Sequence, residues 1–107
     1  MDESTYQVLA DKALRRIEDG FKDVDPDLVD CEQAGDVLTL TFKDGKRAVV
    51  NTQRPTRQLW LAANARAWHF SYDAGKSQWL DDKGQGVDLF EQIGLIVQDG
   101  AGVALKL

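Results

Sequence analysis

The hydrophobic period changes once along this chain, and that change restricts the fold more than any other feature. Tyr6, Leu9, Ala10, Ala13, Leu14, Ile17, Phe21 and Val24 recur at the 3.6-residue spacing of a helix with one apolar face. Beyond Pro26 the period falls to two, most clearly where Leu38, Leu40 and Phe42 alternate with Thr39 and Thr41. The first pattern predicts a helix over residues 4–24. Ser4 and Gln7 have capping-box spacing, Asp2 and Glu3 suit the positive end of its dipole, and Asp25-Pro26 ends it. Gly20 falls on the apolar face, where a small residue is expected to let the helix approach a sheet closely.

The second pattern predicts strands over residues 28–34, 37–42, 47–51, 58–63 and 67–72, with a possible sixth over 77–81. Turn signals separate them at Gly35-Asp36, at Asp44-Gly45, around Asn64 and at Gly75. A second helix follows over roughly residues 87–98, weakened by Gly94. The apolar tail Val103-Ala-Leu105-Lys-Leu107 is expected to fold back over the helix ends. Two helices flanking hairpin-connected strands predict an α+β two-layer sandwich, in which both helices pack on one face of an antiparallel sheet of five to six strands. Leu38, Leu40, Phe42, Leu59, Leu61, Trp68, Phe70 and Tyr72 should face the helices. Thr39, Thr41, Asn51, Gln58, Trp60, His69 and Ser71 should project from the other face, which no remaining chain can cover. Trp60 is therefore expected to be an exposed tryptophan among polar residues.

A chain of 107 residues suits one domain spanning residues 1–107, since no linker-like or low-complexity run divides it. No apolar run approaches the length of a membrane span, the N-terminus lacks the features of a secretory signal, and a lone cysteine forms no intrachain disulfide. A soluble cytoplasmic domain is expected. The net charge of −5 is unevenly placed: residues 1–36 hold 11 Asp/Glu against 4 Lys/Arg, and the rest hold 7 against 9. The acidic third repels a nucleic-acid backbone and attracts a cation or a basic protein surface.

The stretch Asn51-Thr-Gln53-Arg-Pro55-Thr-Arg-Gln58-Leu-Trp60 is far richer than a hairpin connection requires. Its amides can hydrogen-bond the loop's own backbone, and Pro55 fixes one dihedral, so the segment looks built to hold a surface. The second concentration of chemistry is acidic: Glu18, Asp19, Asp23, Asp25, Asp27, Asp30, Glu32 and Asp36. An acid-rich helix is usually just a solvated face. Here, however, the density rises where the helix gives way to the first strand, and crowded like charges need a reason. Carboxylates without thiolates or several imidazoles suit hard cations, and with no EF-hand spacing any such site should be shallow and weak.

The order of these pieces resembles the frataxin family, specifically its bacterial members. The resemblance rests on N-x-Q-x-P-x-x-Q-x-W between two strands, on Asp30-Cys31-Glu32 and the 35–42 strand before it, and on Trp68-His69-Phe70 and Asp88-Leu-Phe-Glu-Gln92 after it. It covers about residues 4–92. It implies an iron-binding adaptor and regulator of iron–sulfur cluster assembly, mainly monomeric, with no catalytic residues of its own. It implies that Glu18, Asp19, Asp23, Asp25, Asp27, Asp30 and Glu32 form an acidic ridge that holds ferrous or ferric iron weakly at the surface and docks on cysteine desulfurase. It also implies that Trp60, with Asn51, Gln53 and Gln58, meets the iron–sulfur scaffold protein; His69 shares that face. Iron storage or ferroxidase activity nucleated by the ridge is the main alternative. An acidic mimic of nucleic acid is a third reading with no specific support.

The remaining candidates are weaker. His69 lacks a Cys/His set and is expected to hydrogen-bond at the surface. Cys31 should point inward as a structural thiol, because its acidic surroundings disfavour a thiolate. Lys83-Gly84-Gln-Gly86 lacks the phosphate-loop pattern, and no triad, zinc quartet or dinucleotide fingerprint is present.

Overall fold

Asp2, and not Ser4, starts the first helix. In the computed structural model, which describes all of residues 1–107, Asp2 is extended and its Oδ1 accepts the Thr5 amide at 2.7 Å. The carboxylate satisfies one of the amides that a helix start leaves free. Helix α1 (Glu3–Gly20) is also shorter than expected at its far end. The amides of Phe21 and Lys22 bond back three residues, to the carbonyls of Glu18 and Asp19, so the chain tightens into turns before Pro26. Phe21 stays buried and Val24 partly so, which is why the apolar period continues past the helix itself.

Six strands follow: β1 (Val29–Ala34), β2 (Val37–Phe42), β3 (Arg47–Gln53), β4 (Gln58–Ala63), β5 (Arg66–Asp73) and β6 (Gln78–Asp81). They form one antiparallel sheet in sequence order, so β1 and β6 are its edges. Helix α2 (Leu89–Ala101) starts two residues later than the apolar pattern suggested. The buried Asp88 carboxylate caps it through the Glu91 amide at 3.0 Å. Val87 is tied instead to the end of β6: its amide donates to Asp81 Oδ1 at 2.8 Å, and its carbonyl accepts the Asp81 amide. Gly102, at φ 66°, closes the helix by donating to the Gln98 carbonyl.

One apolar layer lies between the helices and the sheet. Tyr6, Ala10, Leu14 and Ile17 of α1 and Leu89, Ile93 and Val97 of α2 meet Leu38, Leu40, Val50, Leu59, Leu61 and Phe70. Each large side chain buried here contributes about 1.5–3 kcal/mol. Trp79 is 3% exposed and packs edge-on to Tyr6 and Tyr72, making it a core residue. Trp68 and Tyr72 are only partly buried. Trp68 lies beyond the short β6, which pairs only Phe70 to Asp73, and the Arg66 guanidinium sits 4.7 Å from its ring centre instead.

The tail does fold back. Val103, Leu105 and Leu107 pack against the core, and Arg16 donates to the main-chain oxygen of Leu107, the last residue, through Nε at 3.2 Å and Nη2 at 2.6 Å. Gly20 serves this contact and not a close approach to the sheet: a Cβ there would collide with the Leu107 side chain. Around Gly94, by contrast, a Cβ meets nothing within 4 Å. No helix is long and apolar enough to cross a membrane.

These two glycines should respond unequally to alanine. Gly94→Ala should add about 0.5–1 kcal/mol of stability by favouring the helix at no steric cost. Gly20→Ala should gain less, because it lies at the last position of α1 and its Cβ must push the end of the flexible Leu107 side chain aside. Thermal melts of the two variants check the order.

Candidate functional site

The polar stretch after β3 turns a corner in a single 3-10 turn, Arg54–Thr56, with Pro55 at its start and Arg57 in the left-handed region at φ 55°. Its amide side chains do not bind the loop's own backbone, contrary to expectation. The fully buried Tyr6 ties the loop down from α1. Its hydroxyl accepts the Gln53 amide at 3.1 Å and donates to the Gln58 carbonyl at 2.7 Å, joining the two ends of the loop. Burial pushes the Tyr6 phenol above its ordinary pKa, although the bond from Gln53 opposes that. The signal for Tyr6 was present in the sequence, since a tyrosine on an apolar helix face needs a partner for its hydroxyl. The partner's identity was not.

Beyond the loop, β4 and β5 pair so that Asn51, Trp60 and His69 stand in one row across the helix-free face, with Gln58 opposite Ser71 beside it. Trp60 is on the expected face but is only half exposed, which corrects the expectation of a free tryptophan. Its ring stacks on His69 with centroids 4.2 Å apart and planes 18° from parallel. Its Nε1 donates to Gln58 Oε1 at 2.9 Å. The Gln58 amide nitrogen in turn reaches Ser71 Oγ at 3.2 Å and Asp82 Oδ2 at 3.3 Å. Asp82 closes the ring, with Oδ2 3.5 Å from His69 Nδ1 and its own amide on the His69 carbonyl at 2.8 Å. The His69 ring thus stacks on Trp60 and faces Asp82 without a side-chain hydrogen bond, where a surface hydrogen-bonding role was expected. Gln58 earns its place in the motif as the bracket of Trp60, while the Gln53 side chain has no hydrogen-bond partner. Asp82, in a turn with no motif, was illegible from sequence.

The acidic residues wrap around the β1 edge. Glu18 and Asp19 end α1, where the last turn has no basic residue, so both sit at the negative end of the helix dipole. Asp23, Asp25 and Asp27 occupy the turn that follows, where Asp25 Oδ1 accepts the Asp27 amide at 2.9 Å. Asp30 and Glu32 project from β1 opposite Thr41 and Thr39, on the helix-free side. All seven are exposed, and none lies within 4 Å of a Lys or Arg nitrogen. They do not converge: no group of three or more His, Cys, Asp or Glu side chains comes close enough to hold a metal ion between them. Asp36 leaves this set, because the β1–β2 turn carries it to the motif loop, 3.9 Å from Arg54.

Cys31 points inward from β1 into a cleft of about 430 Å³ lined by Glu18, Asp19, Phe21, Lys22, Val24, Pro26, Val29 and Asp30. Partial burial first, then the Glu18 and Asp30 charges, raise its thiol from 9.0 to about 11. It is a poor nucleophile at neutral pH.

Sequence and structure comparisons place this arrangement among known proteins. The family model described as a frataxin-like domain matches residues 1–102. The iron–sulfur cluster assembly protein CyaY of Pseudomonas aeruginosa is 41% identical over 85 residues, covering 79% of this chain and 78% of its own. That of Stutzerimonas stutzeri is 38% identical over 106 residues, covering 99% and 94%. Among solved structures, the frataxin of Psychromonas ingrahamii superposes with a TM-score of 0.88 at 27% identity, over 99% of this chain and 97% of that one. A trimeric frataxin of the yeast Saccharomyces cerevisiae, complexed with ferrous iron, gives 0.75 at 25% identity, over 89% and 87%.

Two measurements probe the site's supports. Tyr6→Phe should cost about 1–3 kcal/mol by orphaning the Gln53 amide and the Gln58 carbonyl, and amide exchange should quicken at Gln53 before the rest of β3. The second concerns Cys31, whose folded-state pKa lies above its unfolded value. Its contribution to stability is therefore complete below pH 9 and lost as pH rises through about 11. Alkylation of Cys31 in the folded protein should follow that high pKa, and Cys31→Ala should flatten the loss of stability between pH 9 and 11. A thiol titrating at 9 in the folded state contradicts this.

Proposed function

The chain belongs to the frataxin family, and from that membership we propose that it is an iron-binding adaptor of iron–sulfur cluster assembly with two docking surfaces. The acidic edge formed by Glu18, Asp19, Asp23, Asp25, Asp27, Asp30 and Glu32 holds ferrous or ferric iron weakly. The same edge docks on a basic surface of cysteine desulfurase and so modulates sulfur delivery. The face around Trp60, Asn51, Gln53, Gln58 and His69 meets the iron–sulfur scaffold protein. The protein works in the cytoplasm, mainly as a monomer, although the yeast relative solved with ferrous iron is a trimer.

The observation that carries this reading is the unneutralised acidic edge. Seven exposed carboxylates with no Lys or Arg nitrogen within 4 Å repel one another, and two of them face the wrong end of a helix dipole. Each misplacement of that kind costs about 0.3–1 kcal/mol at low salt. A basic partner or a cation relieves the repulsion, and its attraction is long-ranged and salt-sensitive. Dispersed carboxylates with no convergent cage fit weak, labile iron binding better than storage in a built site. The second surface is supported by Trp60, a half-exposed tryptophan held rigid by the His69 stack and the Gln58 bond. Immobilised aromatics make good interface anchors because little side-chain freedom remains to be lost on binding.

Charge reversal separates the two surfaces. Asp23→Lys, Asp27→Lys and Asp30→Lys together should weaken desulfurase binding at low salt by about tenfold or more, equivalent to about 1.4 kcal/mol. Reversing Glu3, Asp73 and Glu91 should change it far less, and equal losses contradict the edge assignment. Trp60→Ala should leave iron and desulfurase binding intact while impairing the ternary complex with the scaffold.

A further inference from the structure

The two edges of the sheet are finished differently. Beyond β6 the chain returns along the outer side: Asp88 bridges Leu80, and the Val87 carbonyl accepts the Asp81 amide at 3.0 Å. No segment returns along β1. The Lys43 amide donates to the Leu28 carbonyl at 3.2 Å, and the register runs on through Asp30 opposite Thr41 and Glu32 opposite Thr39. Antiparallel strands alternate the direction of their main-chain groups, so the even-numbered residues of β1 bond to β2 while Val29, Cys31 and Gln33 turn theirs outward. Asp25 takes the Val29 amide through its carbonyl at 3.3 Å. The Val29 carbonyl and the amides and carbonyls of Cys31 and Gln33 have no partner.

This edge is also only half protected. It has no proline and no bulge over its six pairs, and its charges, Asp30 and Glu32, stand on the helix-free face alone. On the other face Cys31 opens onto the cleft of about 430 Å³, whose apolar lining is Phe21, Val24, Pro26 and Val29. Glu18 and Asp19 also line it, and Lys22 is its one cation.

We propose that β1 accepts an additional strand: a basic, extended segment of the partner protein, paired to the outward groups of Val29, Cys31 and Gln33. In such pairing the main-chain bonds supply affinity and the alternate side chains supply selectivity. Residues opposite Asp30 and Glu32 are lysine or arginine, because opposite charges facing each other across two strands attract and like charges repel. The residue opposite Cys31 is apolar, because its side chain lies over the cleft. A second copy of this chain is a poor occupant, since it brings the same carboxylates to the edge. The inference rests on the reading of the acidic edge as a docking surface and deepens it: charge brings the partner in, and strand pairing fixes its register.

The test is a titration of the full chain with a short peptide alternating lysine and valine, compared with the same peptide methylated at its backbone nitrogens. The two carry equal charge, and only the first can pair as a strand. The unmethylated peptide should bind about tenfold or more tightly and should slow hydrogen exchange at the Cys31 and Gln33 amides. Gln33→Pro removes an outward amide without changing the charge, a change that edge positions tolerate. It should weaken peptide binding by about tenfold or more, while Gln33→Ala should leave it within about twofold. Equal binding of the two peptides, or binding without protection of those two amides, overturns the proposal by reducing the effect to charge. No binding at low salt overturns it as well. These comparisons use the unaltered chain, so they decide the matter even if a melting curve shows Gln33→Pro to be unfolded. The same exchange measurement on the complex with cysteine desulfurase separates the two readings. Binding that Asp23→Lys, Asp27→Lys and Asp30→Lys abolish but that leaves Cys31 and Gln33 unprotected keeps the docking surface and overturns strand pairing. Peptide pairing without desulfurase binding supports strand pairing and contradicts the adaptor reading.

Discussion

The sheet is covered on one side only, and the rest of the molecule follows from that. Two helices bury one row of every strand, and nothing buries the other, so each strand's alternate residues face the outside for the whole width of the sheet. Such a face must be polar enough to remain in water and ordered enough to have a shape. Threonines on β2 meet the first need. The closed ring of Trp60, Gln58, Asp82 and His69 meets the second by stacking and hydrogen bonding across β4, β5 and the turn after β6. One-sided burial also leaves β1 as an uncovered edge. The acidic side chains that line it suit an edge strand, where charge discourages pairing with another chain.

The two surfaces differ in how they are held. The Trp60 face is anchored through the core, because the buried Tyr6 reaches from α1 to both ends of the loop that precedes it. The acidic edge is held by almost nothing but backbone: a tight turn, the Asp25 side chain on the Asp27 amide, and the pairing of β1 with β2. One surface has a fixed shape and the other mainly a field. That division suits a protein that attracts one partner electrostatically and fits a second by contact. It also places charge repulsion and an unfavourable helix end at the same corner, where binding can offset both.

What the sequence disclosed follows from the range of each interaction. Period-two and period-3.6 patterns are local, so the layers, the strand order and the inward set from Leu38 to Phe70 could all be read. The acidic edge was legible because its residues are close in sequence, and Asp36 was misjudged for the same reason: proximity along the chain did not survive the β1–β2 turn. Cap positions depend on which side chain reaches which amide, which is how Asp2 displaced Ser4 and Asp88 displaced Val87. Trp60 was placed on the correct face but with the wrong exposure, since its cover comes from His69 and Gln58 through sheet register. Tyr6 and Asp82 act over separations of 47 to 52 and 13 to 24 residues respectively, distances at which no pattern in one sequence signals a partner.

Calorimetric titration of the unmodified chain into cysteine desulfurase from the same organism, at low and at high salt, tests the electrostatic adaptor most directly. Micromolar affinity at low salt that falls by about tenfold or more at high salt is the predicted result. Absence of binding at low salt, or an affinity indifferent to salt, contradicts the assignment of the acidic edge as the docking surface.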